Sequence, residues 1–155
     1  MTSHHKHLNK LAALALGALL TSSAWAGEIT IEADFSEFDQ ASGKHLLEGN
    51  VVAKQDGMVL SADKIELTSE EGVVTLVLAK GSPTTLTTDE GMRGQAKQIT
   101  YNALSKFATF EFDALVEQGA RSIAGEKIDA DLTSDFLRAE GKNEKRVKLS
   151  FPVAE

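Results

Sequence analysis

From Gly27 onward, apolar and polar residues alternate in short runs. Ile29, Ile31, Ala33 and Phe35 alternate with Thr30, Glu32 and Asp34, and near the other end Val147, Leu149, Phe151 and Val153 alternate with Lys148, Ser150 and Pro152. Between them lie Ile99, Tyr101 and Ala103, then Phe110, Phe112, Ala114 and Val116, then Ile128, Ala130 and Leu132, each at every second position. A period of two sends one set of side chains to a core and the other to water, and so predicts strands. Val73–Ala79 is apolar on both faces and predicts a central strand covered on both sides. Glycines break the pattern at short intervals from Gly43 to Gly141 and only two prolines occur, the mark of many short strands. Ser134–Lys145 has helical length, but Gly141 inside it and the lack of a continuous apolar stripe favour strand and turn. The expected class is all-β.

A weak repeat organises the strands. A small residue followed by a charged one recurs at Ala33-Asp34, Ala62-Asp63, Ala96-Lys97 and Gly125-Glu126, and Ile65, Ile99 and Ile128 follow three positions after the last three small residues. A second landmark trails each: Gly49, Gly81, Asp113 and Gly141. A small residue at a fixed place in each unit suits a corner where stacked strands bend and backbones approach closely. Units of about 30 residues rarely bury an apolar face alone, so a stack is expected, with four similar hairpins in an ordinary barrel as the alternative. A stack has two open ends. Here both ends are cleanly alternating strands with little to blunt them: Ile29–Phe35 has no proline or lysine, and Val147–Val153 has only Lys148 and Pro152. Such edges pair with another chain, so end-to-end strand addition is expected, by self-association or on similar folds.

The first 26 residues differ in kind. Lys6 and Lys10 precede ten apolar residues, Leu11–Leu20, and Ala24-Trp25-Ala26 supplies a small-x-small cleavage site. That is the form of a secretory signal peptide, and ten apolar residues reach about half the length of a bilayer span. The chain then divides into residues 1–26, a cleaved leader, and residues 27–155, a single domain exported in soluble form, to the periplasm in a Gram-negative host. Cleavage would take the formal net charge from −7 to −9 and leave His45 as the last histidine. A strongly acidic domain offers phosphates no electrostatic footprint, so no nucleic-acid partner is expected.

Catalytic chemistry finds little support. Absence of cysteine removes thiol nucleophiles, disulfides and sulfur-based metal sites. His45 stands alone, and none of the nucleotide-binding, zinc-protease or serine-hydrolase motifs occurs. Asp129, Asp131, Thr133, Asp135 and Glu140 copy calcium-loop positions, but Ser134 stands where the turn needs glycine. No catalytic residue, metal or cofactor is expected. A structural adaptor that pairs by its edges without cargo, or a secreted β-fold glycan hydrolase, are the alternatives to a carrier.

The motifs ITIEAD (Ile29–Asp34), Gly49-Asn50-Val51-Val52 with Ser61-Ala62-Asp63-Lys64-Ile65, Gly81-Ser82-Pro83-Thr84-Thr85, AKQITY (Ala96–Tyr101), Gly125-Glu126-Lys127-Ile128 and Lys145-Arg146-Val147 together resemble the OstA-like family of periplasmic lipopolysaccharide-transport bridge proteins. The resemblance spans Ile29 to Pro152. It implies an open β-jellyroll, a solenoid-like stack of sixteen V-shaped antiparallel strands around an apolar groove. It also implies that lipopolysaccharide is carried with its lipid A acyl chains inside, and that copies join head to tail between inner-membrane and outer-membrane partners of related fold. Carried over by motif, the lipid-binding positions are Ile29, Ile31, Leu86, Tyr101 and Ala103. The assembly edges are Ile29, Ile31 and Phe35 at one end and Val147, Leu149 and Phe151 at the other. Phe112-Asp113 stands where members have Gly-Asn, which predicts a different turn or a narrower groove.

Overall fold

Each of the six long strands of this protein bends in its middle, at the places the repeat marks. The computed structural model describes residues 27–155; the leader expected at 1–26 lies outside the described residues. Ten strands follow one another: β1 (Thr30–Glu32), β2 (Phe35–Asp39), β3 (Lys44–Gln55), β4 (Met58–Glu70), β5 (Val73–Thr87), β6 (Met92–Asn102), β7 (Phe107–Gln118), β8 (Arg121–Asp131), β9 (Leu137–Glu140) and β10 (Lys148–Ser150). All pairings are antiparallel and run in chain order, with β1 and β2 both on β3 and both β9 and β10 on β8. β1 with β2, and β9 with β10, are thus the two arms of interrupted Vs. Together with the six unbroken ones they make eight Vs, or sixteen limbs.

The bends are bulges. Pairing skips between Glu48 and Val51, Ser61 and Lys64, Lys80 and Thr84, Gln95 and Gln98, and Glu111 and Ala114. An unpaired residue at the same level of each strand turns the whole stack through one corner. The corners carry the repeat's small residues alternately with its second landmark. Gly49 sits at φ 80°, which a side chain resists, and a Cβ on Gly125 would stand 3.0 Å from Glu140 O. Asp34 closes the first corner, accepting from Asn50 Nδ2 at 2.8 Å.

The corner separates two facing limbs. The first holds β2, residues 44–48, 64–68, 76–80, 98–102, 107–111 and 127–131, and β9; the second holds β1, residues 51–55, 58–61, 84–87, 92–95, 114–118 and 121–125, and β10. Directly opposed residues share a face, so the inward positions form rows along the stack. One row reads Ile31, Ala53, Leu60, Leu86, Gly94, Val116, Ile123, Leu149. Between the limbs Leu60, Ile65, Leu86, Ile99, Phe110 and Ile128 are fully buried. Each such side chain contributes roughly 1.5–3 kcal/mol by leaving water.

Three expectations are corrected. Val73–Ala79 lies mid-stack but is covered on one face only: Leu76 remains 37% exposed, because the stack has no second layer outside the limbs. Phe35 does not continue the inward set of Ile29 and Ile31; the corner at Ala33-Asp34 reverses the alternation, and Phe35 opposes Glu48 on the outer face. The last strand is Lys148–Ser150, shorter than Val147–Val153, and Pro152 beyond it has no N–H to donate. Residues 134–145 form strand and turn, with β9 followed by a tight turn closed between Lys142 and Lys145.

Candidate functional site

Opposite the corner, the tips of the two limbs stay apart, and hollows line up between them. The first, about 190 Å³, lies between Met58, Thr88 and Asp89 of one limb and Tyr101, Lys106 and Leu132 of the other. A narrow middle stretch of about 30 Å³ follows between Met92 and Leu137, with room for no more than a water or two. The third, about 170 Å³, is walled by Val116, Ile123, Leu137 and Phe151. Thr88, Glu90 and Leu132 border the first two, and Gln118, Asp135 and Leu137 the last two. They therefore form one interrupted slot that runs along the open flank to the β9–β10 end.

The slot owes its apolar lining to strand starts. Met58 follows Gly57, and Met92 follows Gly91, so two-residue and longer turns deliver a long unbranched side chain at the start of β4 and again at the start of β6, on the same limb. Beneath them Leu60, Leu86, Ile99 and Phe110 make a solid floor. Above them the rim is charged, with Asp56, Asp89, Glu90 and Asp135 against Lys106 and Arg121. An apolar trough under a charged lip suits an amphiphile, with hydrocarbon below and polar groups in water. Tyr101 is a buried phenol in the wall of the first hollow. Burial first, and then the Asp56 carboxylate, push its phenol above the usual value, so it stays neutral.

The residues singled out from the sequence are not equivalent. Ile31 and Leu86 share one inward row, but Ile31 is half-buried at the β1 edge whereas Leu86 is sealed within the floor. Tyr101 lines the slot from the opposite limb. Ile29 lies before β1 and packs on the core, and Ala103 sits in a tip turn, its N–H donating to Thr75 O at 3.0 Å. Of the five, Tyr101 alone borders one of these three hollows. Met58, Met92, Leu132, Leu137, Val116 and Ile123 do, and were not singled out; the repeated Gly-Met pair, 34 residues apart, is the signal that marks two of them.

At the edges, Leu149 and Phe151 are more than half exposed, and Val147 is half-buried just before β10. At the opposite edge His45 is occupied by its neighbours, its ring tilted on Phe38 at 4.9 Å and its Nε2 3.0 Å from Ser36 Oγ. A larger hollow, about 450 Å³, lies on the first limb and mixes Leu46, Leu76 and Leu78 with Glu37, Lys44 and Glu66.

Comparison with known proteins agrees with this architecture. The Haemophilus influenzae lipopolysaccharide export system protein LptA is 29% identical over 152 residues, covering 90% of this chain and 88% of the relative. The crystal structure of LptH, described as the LptA-homologous periplasmic component of the Pseudomonas aeruginosa lipopolysaccharide transport device, superposes with a TM-score of 0.76 at 20% identity, over 81% of this chain and 96% of that one. At that identity the likeness speaks to fold. Residues 30–136 match the family model described as LptA/(LptD N-terminal domain) LPS transport protein, and with that much of it matched the chain belongs to that family.

Proposed function

We propose that the protein is a non-enzymatic periplasmic carrier that holds lipopolysaccharide by its lipid A acyl chains in the slot between the limbs, and passes it from inner to outer membrane along copies joined head to tail. The observation that carries this is the slot itself: three aligned hollows on the one unsealed flank, apolar below and charged at the lip. A chain of 12–14 carbons gains on the order of 10 kcal/mol gross, at ~0.8 kcal/mol for each buried CH₂. Repulsion between the acidic rim and lipid phosphates fades within about 8 Å at physiological salt. Acyl burial therefore dominates, and the headgroup remains in water. The narrow middle stretch requires the limb tips to separate for a chain to lie along the whole slot; Leu86 and Ile29 then come within reach only in the separated state.

Export on the leader at residues 1–26, cleavage after Ala26 and docking on membrane proteins of related fold complete the proposal. The test is photocrosslinking in cells at Tyr101, Leu132 and Leu137, with Leu78 on the outer face as control. Lipopolysaccharide adducts at the first three and none at Leu78 are expected. Adducts at Leu78 alone would overturn the slot.

The rival reading is an adaptor that pairs by its edges and carries no lipid. A mass spectrum of the gently isolated protein separates the two, because an adaptor copurifies without lipid.

A further inference from the structure

The two ends of the stack differ in charge. Glu28, Glu32, Asp34, Glu37 and Asp39 occur at the β1–β2 end with no base before Lys44. At the β9–β10 end Arg138, Lys142, Lys145, Arg146 and Lys148 outnumber Glu140 and Glu144. The rows within the stack fix which of these would meet. β9 runs toward the corner and β10 away from it, whereas β1 runs toward the corner and β2 away. Laying one molecule's last V on the next one's first V therefore continues the antiparallel alternation without a break.

We propose that copies of this chain join in the register that continues these rows, and that two opposite-charge pairs, Lys148 with Glu32 and Arg138 with Glu37 of the next copy, select it. The proposal rests on the head-to-tail reading above and adds its register and polarity. Each row can be followed strand by strand. Lys148 opposes Ala124, and that row ends at Val52 and Glu32; Arg138 opposes Asp129, and that row ends at Leu46 and Glu37. The inward rows continue likewise, so Leu149 meets Ile31 and Leu137 meets Phe38. That covers the exposed surfaces of Leu149 and Phe38, 57% and 54% open in the single molecule. The four charged residues are all exposed and face outward. Arg138 keeps its bond to Glu140 at 2.6 Å and would lie between Asp129 and Glu37. Two β1–β2 ends brought together would instead set acid against acid, which disfavours head-to-head pairs.

Two charge-reversal variants test this. Glu32→Lys with Glu37→Lys sets base against base at both proposed pairs, and Arg138→Glu with Lys148→Glu sets acid against acid at both. By sedimentation at low salt, each alone should self-associate roughly 10-fold more weakly than the natural chain, and an equimolar mixture should recover by alternation. In this cysteine-free chain, Ile31→Cys with Leu149→Cys should give an intermolecular disulfide ladder, because directly opposed residues lie within disulfide reach. Ile31→Cys with Phe151→Cys should not. If the natural chain associates but the mixture fails to recover, or the Phe151 pair ladders equally, the register is wrong while head-to-tail joining stands. If the natural chain never associates, head-to-tail joining fails, and the register with it.

Discussion

Phe110 on one limb occupies the space that a side chain at Gly94 on the other would need: a Cβ built on Gly94 overlaps Phe110 Cε1 and stands 2.6 Å from Cζ. At this level a ring seated on bare backbone sets the distance between the limbs. Gly94→Val should force the limbs apart or displace the ring, and overpacking of this kind typically costs 1–3 kcal/mol (about 2). Phe110→Ala should cost about 3–5 kcal/mol through lost burial and the void it leaves. Urea unfolding of both variants checks this. Equal stability of Gly94→Val and the natural chain would mean that the limbs separate freely at this level.

The slot makes a prediction of its own. Leu132→Glu or Ile123→Glu places a charge on the apolar wall, and should reduce lipopolysaccharide crosslinking at Tyr101 at least 10-fold, since an unpaired carboxylate facing hydrocarbon is strongly unfavourable. Neutralising the rim, as Asp89→Asn with Glu90→Gln, should change crosslinking less than 2-fold, because those groups stay in water and their repulsion is screened. The reverse order of effects would place the headgroup, and not the acyl chains, at the centre of binding.

Much of this architecture was legible in the chain, because the corner imposes a local requirement that recurs. Ala33, Ala62, Ala96 and Gly125, with Gly49 and Gly81, mark bends where backbone must approach backbone, and the alternating apolar positions between them give the inward rows. Phe35 was misread because a bulge shifts the alternation by one, which no period-two pattern can show. The depth of each inward residue was hidden for a different reason. Leu86 and Tyr101 look alike in sequence, but only the pairing of distant hairpins puts one in the floor and the other in the wall. Leu132 and Leu137 flank a turn, and it is the tip of the opposite limb that makes them part of the slot.

At the sixth corner, Phe112 and Asp113 lie at φ 67° and 57°, both left-handed. Phe112 has its side chain on the outside of the bend, so the departure from Gly-Asn strains the turn without narrowing the slot. Holding a bulky residue there costs roughly 1–3 kcal/mol, against about 0.5–1 kcal/mol of extra chain freedom that glycine brings to the unfolded state. Phe112→Gly should therefore be more stable, by about 1 kcal/mol. A melting temperature below that of the natural chain would show that the exposed ring contributes packing that outweighs the strain.

The same corner predicts sensitivity to acid. Asp113 Oδ1 accepts from Lys145 Nζ at 2.6 Å, and Oδ2 lies 3.2 Å from Lys97 Nζ, which ties the turn before β10 to the middle of the stack. The Lys145 hydrogen bond, followed by that of Lys97, lowers the Asp113 pKa from its ordinary 3.8, and the same contact raises Lys145 above 10.5. A carboxyl lowered on folding lends stability that is complete above its unfolded pKa and lost as pH falls through the folded one; the raised ammonium lends stability complete below 10.5 and lost above its folded value. Asp113→Asn should thus melt earlier than the natural chain at pH 7, and the gap should close as pH drops below about 3.8. Asp113 is exposed, so salt should narrow the gap as well. Because the turn it holds leads directly into β10, hydrogen exchange at Lys148–Ser150 should quicken in the variant at pH 7, while β4 and β5 stay protected. Unchanged exchange in β10 would mean that the three-residue strand is held by β8 alone.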